Sequence, residues 1–568
     1  MVRVSVKGKD AHKMDKLAQG RSGNLVFSPQ ESPILRKTTF MPFSTRLLLL
    51  CAGSIFSLFS ARSQGYFQQD LKYTIQATLD DATNTISASE TIIYKNNSSS
   101  ALEYIWFHIW PNAYKNKKTA LMKQIRNDKS RSKKESNYGE GYIDGLAFTV
   151  NGQSARTEEH PKYIDIIKVI LDKPLAPGDS LTIATPFKVK LPPYFSRSGY
   201  AEGEFMATQW YPKPAVFDKD GWHEFPYLDM GEFYSEYATY DVSITLPSAY
   251  VVAATGVLQT PAELEAYKRS GAQNVSSRKS PAGYRTPFST PVKTLQYHAE
   301  KVPDFAWFAD TKFIVQYDTI GLASGKTIDA FSYFYNRPNT IWANSIDYIK
   351  DGIRSYSGWI GEYDYPVVQV VEGPMNNSSG GMEYPMVTLI TSPDAQPESL
   401  DGVIVHEVGH NWFMSMLGSN ERDHAWMDEG LNSYFQFRYE AEKYRSNSIF
   451  GAAIPVELKK MPADEFLSVV YRVMKENIPI KAAMDMTSAD FADSEEYGMA
   501  SYVKPALWMY MLEASVGRDK VDKAMQLYFS KWKFKHPQPQ DMKAAFEESI
   551  GGKLDQFFDL IKKKGALE

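Results

Sequence analysis

The 568-residue sequence is almost without cysteine, with Cys51 standing alone. A product lacking Cys51 has no thiol chemistry, no cysteine-ligated zinc and no disulfide staples. Charge of one sign is missing too: the net value is −4, which removes bulk electrostatics as a reason to bind nucleic acid or an anionic membrane. The apolar run at residues 47–61 covers about 15 residues, against roughly 20 for an ordinary membrane helix. No internal repeat is found. What remains is a chain of 43% hydrophobic and 14% aromatic content, enough for two or three domains with substantial cores.

The run at 47–61 follows Arg46 and precedes Arg62-Ser63-Gln64-Gly65. Its length, basic flank and small residues Ala61, Ser63 and Gly65 read as a secretory signal peptide over residues 41–65. Met41 is then the expected start, and residues 1–40 an untranslated or disordered extension. Lipid attachment at Cys51 is disfavoured by the bulky Leu50 before it. The mature product would begin near Gln64 to Phe67, keep no stable membrane span, and be exported to periplasm or medium.

From Tyr73 the hydrophobic pattern alternates. Residues 73–79, 86–94, 102–110, 163–171, 180–191, 240–246 and 250–255 are expected as antiparallel strands, so residues 66–300 form a β-rich domain. Residues 115–134 hold nine basic residues in twenty, expected as a solvated helix or mobile loop. Residues 261–291 have the Ser, Pro, Gly and Lys content of a long surface connection. Helices are expected at 327–336 and 339–356, strands at 367–371 and 387–391, then helices at 398–417, 425–444, 499–515, 520–531 and 540–550. The fold class is therefore α+β, with a mainly helical domain at 301–568.

That second domain contains His406-Glu407-Val408-Gly409-His410. On a helix, residues four apart share a face, so both imidazoles can reach one metal ion while Glu407 stands about 100° away beside the metal's open position. Composition alone yields roughly 0.01 such matches per chain. Gly418 and Asn420 break the first helix, Asp423 is placed to cap the next, and Glu429 in Trp426-Met427-Asp428-Glu429-Gly430 falls in its first turns. Three protein ligands with one open position is the arrangement of a catalytic zinc site. The other seven histidines, His424 among them, follow no metal spacing.

Upstream lies Gly380-Gly381-Met382-Glu383-Tyr384-Pro385, where two glycines allow close backbone approach. With the histidine motif and Glu429, which follows His410 after eighteen residues, this segment resembles the M1 family of zinc aminopeptidases. Val302-Pro303-Asp304-Phe305-Ala306-Trp307-Phe308, Thr208-Gln209-Trp210-Tyr211-Pro212 and Ser501-Tyr502-Val503-Lys504 are similar to further family segments. The resemblance implies a thermolysin-like catalytic domain and one zinc ion on His406, His410 and Glu429. It implies Glu407 as general base and Tyr502 as the catalytic tyrosine, with Tyr497 in reserve. Gly380, Gly381, Met382 and Glu383 would bind substrate, Glu383 holding the free amino terminus of a peptide, and Gln209 would line the same pocket.

The chain departs from the pattern at Tyr384, where the family has Asn, and at Pro505, where it has Gly. Eighteen residues follow Ile550, which leaves no room for the large C-terminal helical domain of many members. A more open cavity, or closure by self-association, is the corresponding expectation. The alternatives to an aminopeptidase are a zinc endopeptidase or other hydrolase on the same scaffold, and a catalytically silent binding protein.

Overall fold

The computed structural model describes residues 65–130, 139–375, 380–391, 396–451, 454–477 and 479–567. The signal-peptide segment, Cys51 and the 1–40 extension lie outside the described residues. The N-terminal half is built on a nine-stranded sheet whose centre runs β5-β4-β1-β2-β3. These are β1 (Asp70–Asp80), β2 (Thr85–Lys95), β3 (Ser180–Lys190), β4 (Ala238–Pro247) and β5 (Val292–Val302). Strict alternation buries Leu71, Tyr73, Ile75, Ala77 and Leu79 of β1, as a half-covered strand requires. Antiparallel pairing throughout was the expectation, yet β1 runs parallel to β4. The two are far apart in sequence, so no hairpin dictates their direction, and Tyr73 stacks on Tyr240 at 4.5 Å across the pair.

Two segments expected without strands or helices, or with the wrong one, need correction. Residues 261–291 open with a sixteen-residue helix, Pro261–Ser276, which packs on the strand Phe313–Gly321. The loop-like composition comes from the part after Ser276; before it, Ala, Glu, Leu and Lys favour helix and Pro261 sits where a helix tolerates it. Residues 327–336 are a strand, Thr327–Tyr335, because both of its faces are covered and the apolar period is hidden. Its Phe331, Tyr333, Phe334 and Tyr335 suit a sheet better than a helix. The basic stretch contains a short helix, Ala120–Asn127, capped by Thr119 and burying Leu121, Met122 and Ile125 under its charged face.

The C-terminal half carries a five-stranded sheet in the order β6-β7-β8-β10-β9: β6 (Phe313–Gly321), β7 (Thr327–Tyr335), β8 (Val367–Glu372), β9 (Gly381–Tyr384) and β10 (Val387–Ile390). β7, β8 and β10 are parallel, and β9 is the antiparallel edge strand. The helices in chain order are α1 (Ala120–Asn127), α2 (Pro261–Ser276), α3 (Ser345–Trp359), α4 (Pro397–Gly409) and α5 (Glu429–Tyr444). Helix α4 packs between this sheet and α3 and α5. It ends at Gly409 rather than near residue 417. Asn411 turns the chain there, bonding the Val408 carbonyl with its amide nitrogen and accepting from the Met386 amide. Asp423 caps no helix; it accepts from Asn420 and Thr487.

A helix not foreseen, α6 (Ala463–Asn477), follows, then α7 (Ser494–Gly498), a π-helical turn at Met499–Val503, α8 (Lys504–Val516), α9 (Arg518–Trp532) and α10 (Pro539–Ile550). One contiguous hydrophobic core runs through both halves. Among the described residues, no helix is long and apolar enough to cross a membrane.

Candidate metal centre

His406 lies in the last turn of α4, His410 at its end, and Glu429 in the first turn of α5. Asn432 joins the two helices by donating to the His406 carbonyl at 2.7 Å. The three side chains converge. The Nε2 atoms of His406 and His410 are 3.2 Å apart, and Glu429 Oε2 is 3.3 Å and 3.4 Å from them. Zinc bonded tetrahedrally at roughly 2.0–2.2 Å would hold its ligands about 3.3–3.5 Å apart, so the triangle has the right size.

The proton positions fit as well. His410 Nδ1 lies 2.6 Å from Asp428 Oδ1, and His406 Nδ1 lies 2.9 Å from Gln436 Oε1. The Gln436 amide nitrogen is engaged by Glu440 and Ser448, which turns its oxygen toward His406. Both rings therefore donate through Nδ1 and leave Nε2 bare. Two lone pairs and a carboxylate oxygen then face one another, an arrangement that calls for a cation between them. Burial pulls His410 toward the neutral form, but Asp428, Glu383 and Glu429 outweigh it and hold its pKa well above the imidazole range. Burial brings His406 down to about 4. Burial would raise Glu429, yet the two rings keep it well below the carboxylate range. The surplus negative charge that would trap a proton on His410 is what a divalent ion neutralises.

Glu407 is buried beside the triangle, its Oε2 without a hydrogen-bond partner, and burial pushes its pKa up to about 8. Gly381 makes room for it: a Cβ there would sit 2.5 Å from Glu407 Oε1. Gly380 is buried next to it, and Met382 meets the Arg197 guanidinium at 3.2 Å through sulfur. Glu383, on the edge strand β9, is 5% exposed. Its carboxylate falls within 4.8 Å of ligand atoms of His410, Asp428 and Glu429, and its Oε1 has no partner.

Tyr502 occupies the π-helical turn, a local widening that often marks functional positions. Its ring stacks against His406 at 6.0 Å, and its hydroxyl donates to Glu429 Oε1. Burial, then the Glu429 charge, raises its pKa well above that of free tyrosine, so it stays a donor. Lys504 pins this turn by donating to the carbonyls of Ala482 and Lys563. Tyr497 stands edge-on behind Tyr502 with its hydroxyl unpartnered. Pro505 packs into the notch at Gly430, where a Cβ would lie 2.1 Å from the proline ring.

Gln209 reaches the cavity beside Glu383, but its amide is committed: Nε2 donates to Asp304 at 3.3 Å and Oε1 accepts from the Tyr384 hydroxyl at 3.3 Å. Tyr384, where the family pattern has Asn, thus fixes the Gln209 amide through its hydroxyl. His424 is held by Asp485, away from the triangle. Sequence reasoning missed Asp428 and Gln436, the partners of the two ligand histidines. Gln436 lies seven residues beyond Glu429, on the same helical face, which is the signal that could have found it.

Residues 353–560 match the family model described as the peptidase family M1 domain. Leucine aminopeptidase 2 of Chaetomium globosum is 27% identical over 190 residues, 33% of this chain and 29% of that protein. Mouse aminopeptidase B is 26% identical over 222 residues, 39% of this chain and 31% of that protein. The chain thus spans about a third or less of the length of these curated relatives. The fold is shared more widely. An M1 zinc metallopeptidase from Deinococcus radiodurans superposes with a TM-score of 0.57 at 14% identity, covering 89% of this chain and 95% of that one. Aminopeptidase A of Legionella pneumophila gives 0.60 at 14% identity, covering 89% of this chain and 50% of that one. The residues that converge on the histidine triangle therefore sit within the segment that matches the peptidase family M1 domain, in a fold shared with M1 zinc metallopeptidases.

Proposed function

We propose that this protein is an exported zinc aminopeptidase that removes the first residue of peptides with a free amino terminus, using one metal ion. The observation that carries the reading is Glu383, a buried carboxylate with an unpaired oxygen beside the ligand triangle. A buried, unpaired carboxylate is costly unless a cation meets it, and the α-ammonium of a peptide is such a cation. Anchoring that ammonium at Glu383 leaves only the first peptide bond within reach of the metal position.

His406, His410 and Glu429 would hold the ion. Zinc bound there would supply Lewis acidity, lowering the pKa of water and polarising the scissile carbonyl. Glu407 accepts the proton of the attacking water at Oε2 and returns it to the leaving amine. The Tyr502 hydroxyl turns from Glu429 to donate to the developing carbonyl oxyanion. Asp428 and Gln436 keep the imidazoles in the tautomer that presents Nε2. Export rests on residues 41–65, whose short apolar run and small residues suit a cleaved signal, and on the cysteine-free chain that follows it.

Fluorogenic amino-acid amides test the reading. Hydrolysis is expected, with loss on chelation and recovery when zinc returns. Chelator-resistant hydrolysis, or none with any amide by zinc-loaded protein, would refute it.

A further inference from the structure

The cavity beside Glu383 lies between the β-rich half and the catalytic sheet. Among its lining residues are three glutamates, Glu232, Glu383 and Glu421, and the apolar side chains of Phe233, Met382 and Met414. The glutamates are 7%, 5% and 1% exposed. Each turns one oxygen to no hydrogen-bond partner: Oε2 of Glu232, Oε1 of Glu383 and Oε2 of Glu421.

No nearby cation bonds any of the three free oxygens, although Arg422 feels the charge of Glu232 and keeps its own Nε and Nη2 without partners. Arg197 binds only the other oxygen of Glu232, at 2.6 Å, and spends its remaining donors largely on carbonyls of the 228–231 segment. Arg422 lies 4.9 Å over the Phe225 ring and 5.6 Å from that of Phe233, and donates to the Met230 carbonyl. Lys213 is paired with Asp304 at 2.8 Å. Among the described residues, Glu383 and Glu421 form no ion pair with a lysine or arginine.

The proposed function assigns one of these oxygens, on Glu383, to the α-ammonium of the substrate. Glu232 and Glu421 remain. We infer that they recognise a cationic side chain on the first residue, so that peptides beginning with lysine or arginine are the preferred substrates. The inference rests on the aminopeptidase reading. The alkyl stem of either residue lies along Phe233, Met382 and Met414, and its charged head meets the two free carboxylate oxygens. A neutral first residue leaves both carboxylates buried and unpaired, which penalises it.

The test compares each basic residue with its uncharged isostere on the full-length, zinc-loaded protein. We expect kcat/KM for lysyl and arginyl amides to exceed that for norleucyl and citrullinyl amides by about 10²-fold or more. In Glu421→Gln and in Glu232→Gln that ratio should fall at least about tenfold. Equal rates for charged and neutral isosteres in the native protein would overturn the inference while leaving the aminopeptidase intact, and this comparison needs no variant to fold. An unchanged ratio in both variants would overturn the role of these glutamates. Cleavage of N-acetylated peptides as readily as free ones would instead bring down the aminopeptidase reading, and the inference with it.

Discussion

Asp428 bonds Nδ1 of His410 and so decides which nitrogen of that ring is free to bind. Its carboxylate accepts a hydrogen bond from Nδ1 at 2.6 Å, and an amide in its place could present a donor instead. Asp428→Asn should weaken zinc binding about 10- to 100-fold in a chelator competition, the usual size of such an effect. Glu407 differs in kind: its Oε2 bonds none of the three ligand side chains, and the proposed function makes it the general base. Glu407→Gln should lower kcat by about 10²- to 10⁴-fold, the range of general base catalysis, while metal analysis finds the native zinc content. His406 and His410 were legible from helical period, and Glu429 from its place at the start of the next helix together with the family resemblance. Asp428 sat in the same motif without declaring itself, since an acid next to a ligand acid carries no periodic signal. Gln209 was placed beside Glu383 as the resemblance implied, but only the fold reveals that Asp304 and Tyr384 already occupy its amide.

Helices α5 and α8 approach closely enough that Gly430 has no room for a Cβ, with the Pro505 ring at 2.1 Å and the Ser501 carbonyl oxygen at 2.8 Å. Pro505, a departure from the family pattern, is therefore part of how the Tyr502 turn is set against the helix bearing Glu429. Gly430→Ala should destabilise the protein by about 1–3 kcal/mol through overpacking, despite alanine's better helix propensity, and thermal unfolding would register it. A melting temperature equal to that of the native protein would show that the helices can separate at no cost. At this scale the sequence was read unevenly. The motif-bearing helices and the strands at 367–372 and 387–390 stood out by period and length. Thr327–Tyr335 did not, because a strand covered on both faces has no alternation to read, and Pro261–Ser276 was masked by the polar residues that follow it.

The two halves of the molecule are tied together around the site. Arg197, from the β-rich half, binds Glu232 and the carbonyls of Leu228 and Asp229 and touches the Met382 sulfur of the catalytic edge strand. Tyr365 donates to the carbonyl of Lys301, and Gln369 to that of Ala254. Removing one partner of a buried ion pair leaves an uncompensated charge, so Arg197→Ala should cost about 3–5 kcal/mol in denaturant unfolding. Such long-range ties are invisible in sequence, where no motif joins residue 197 to residue 382. At the scale of the whole molecule the proposed function joins the ligand triangle to the Glu383 carboxylate, and on that proposal cleavage is limited to the end of a peptide. Mass spectrometry of a peptide and its Nα-acetylated twin, each incubated with zinc-loaded protein, tests this most directly. The free peptide should lose its first residue and the acetylated one should stay intact; internal cleavage of the free peptide, or any cleavage of the acetylated one, would contradict it.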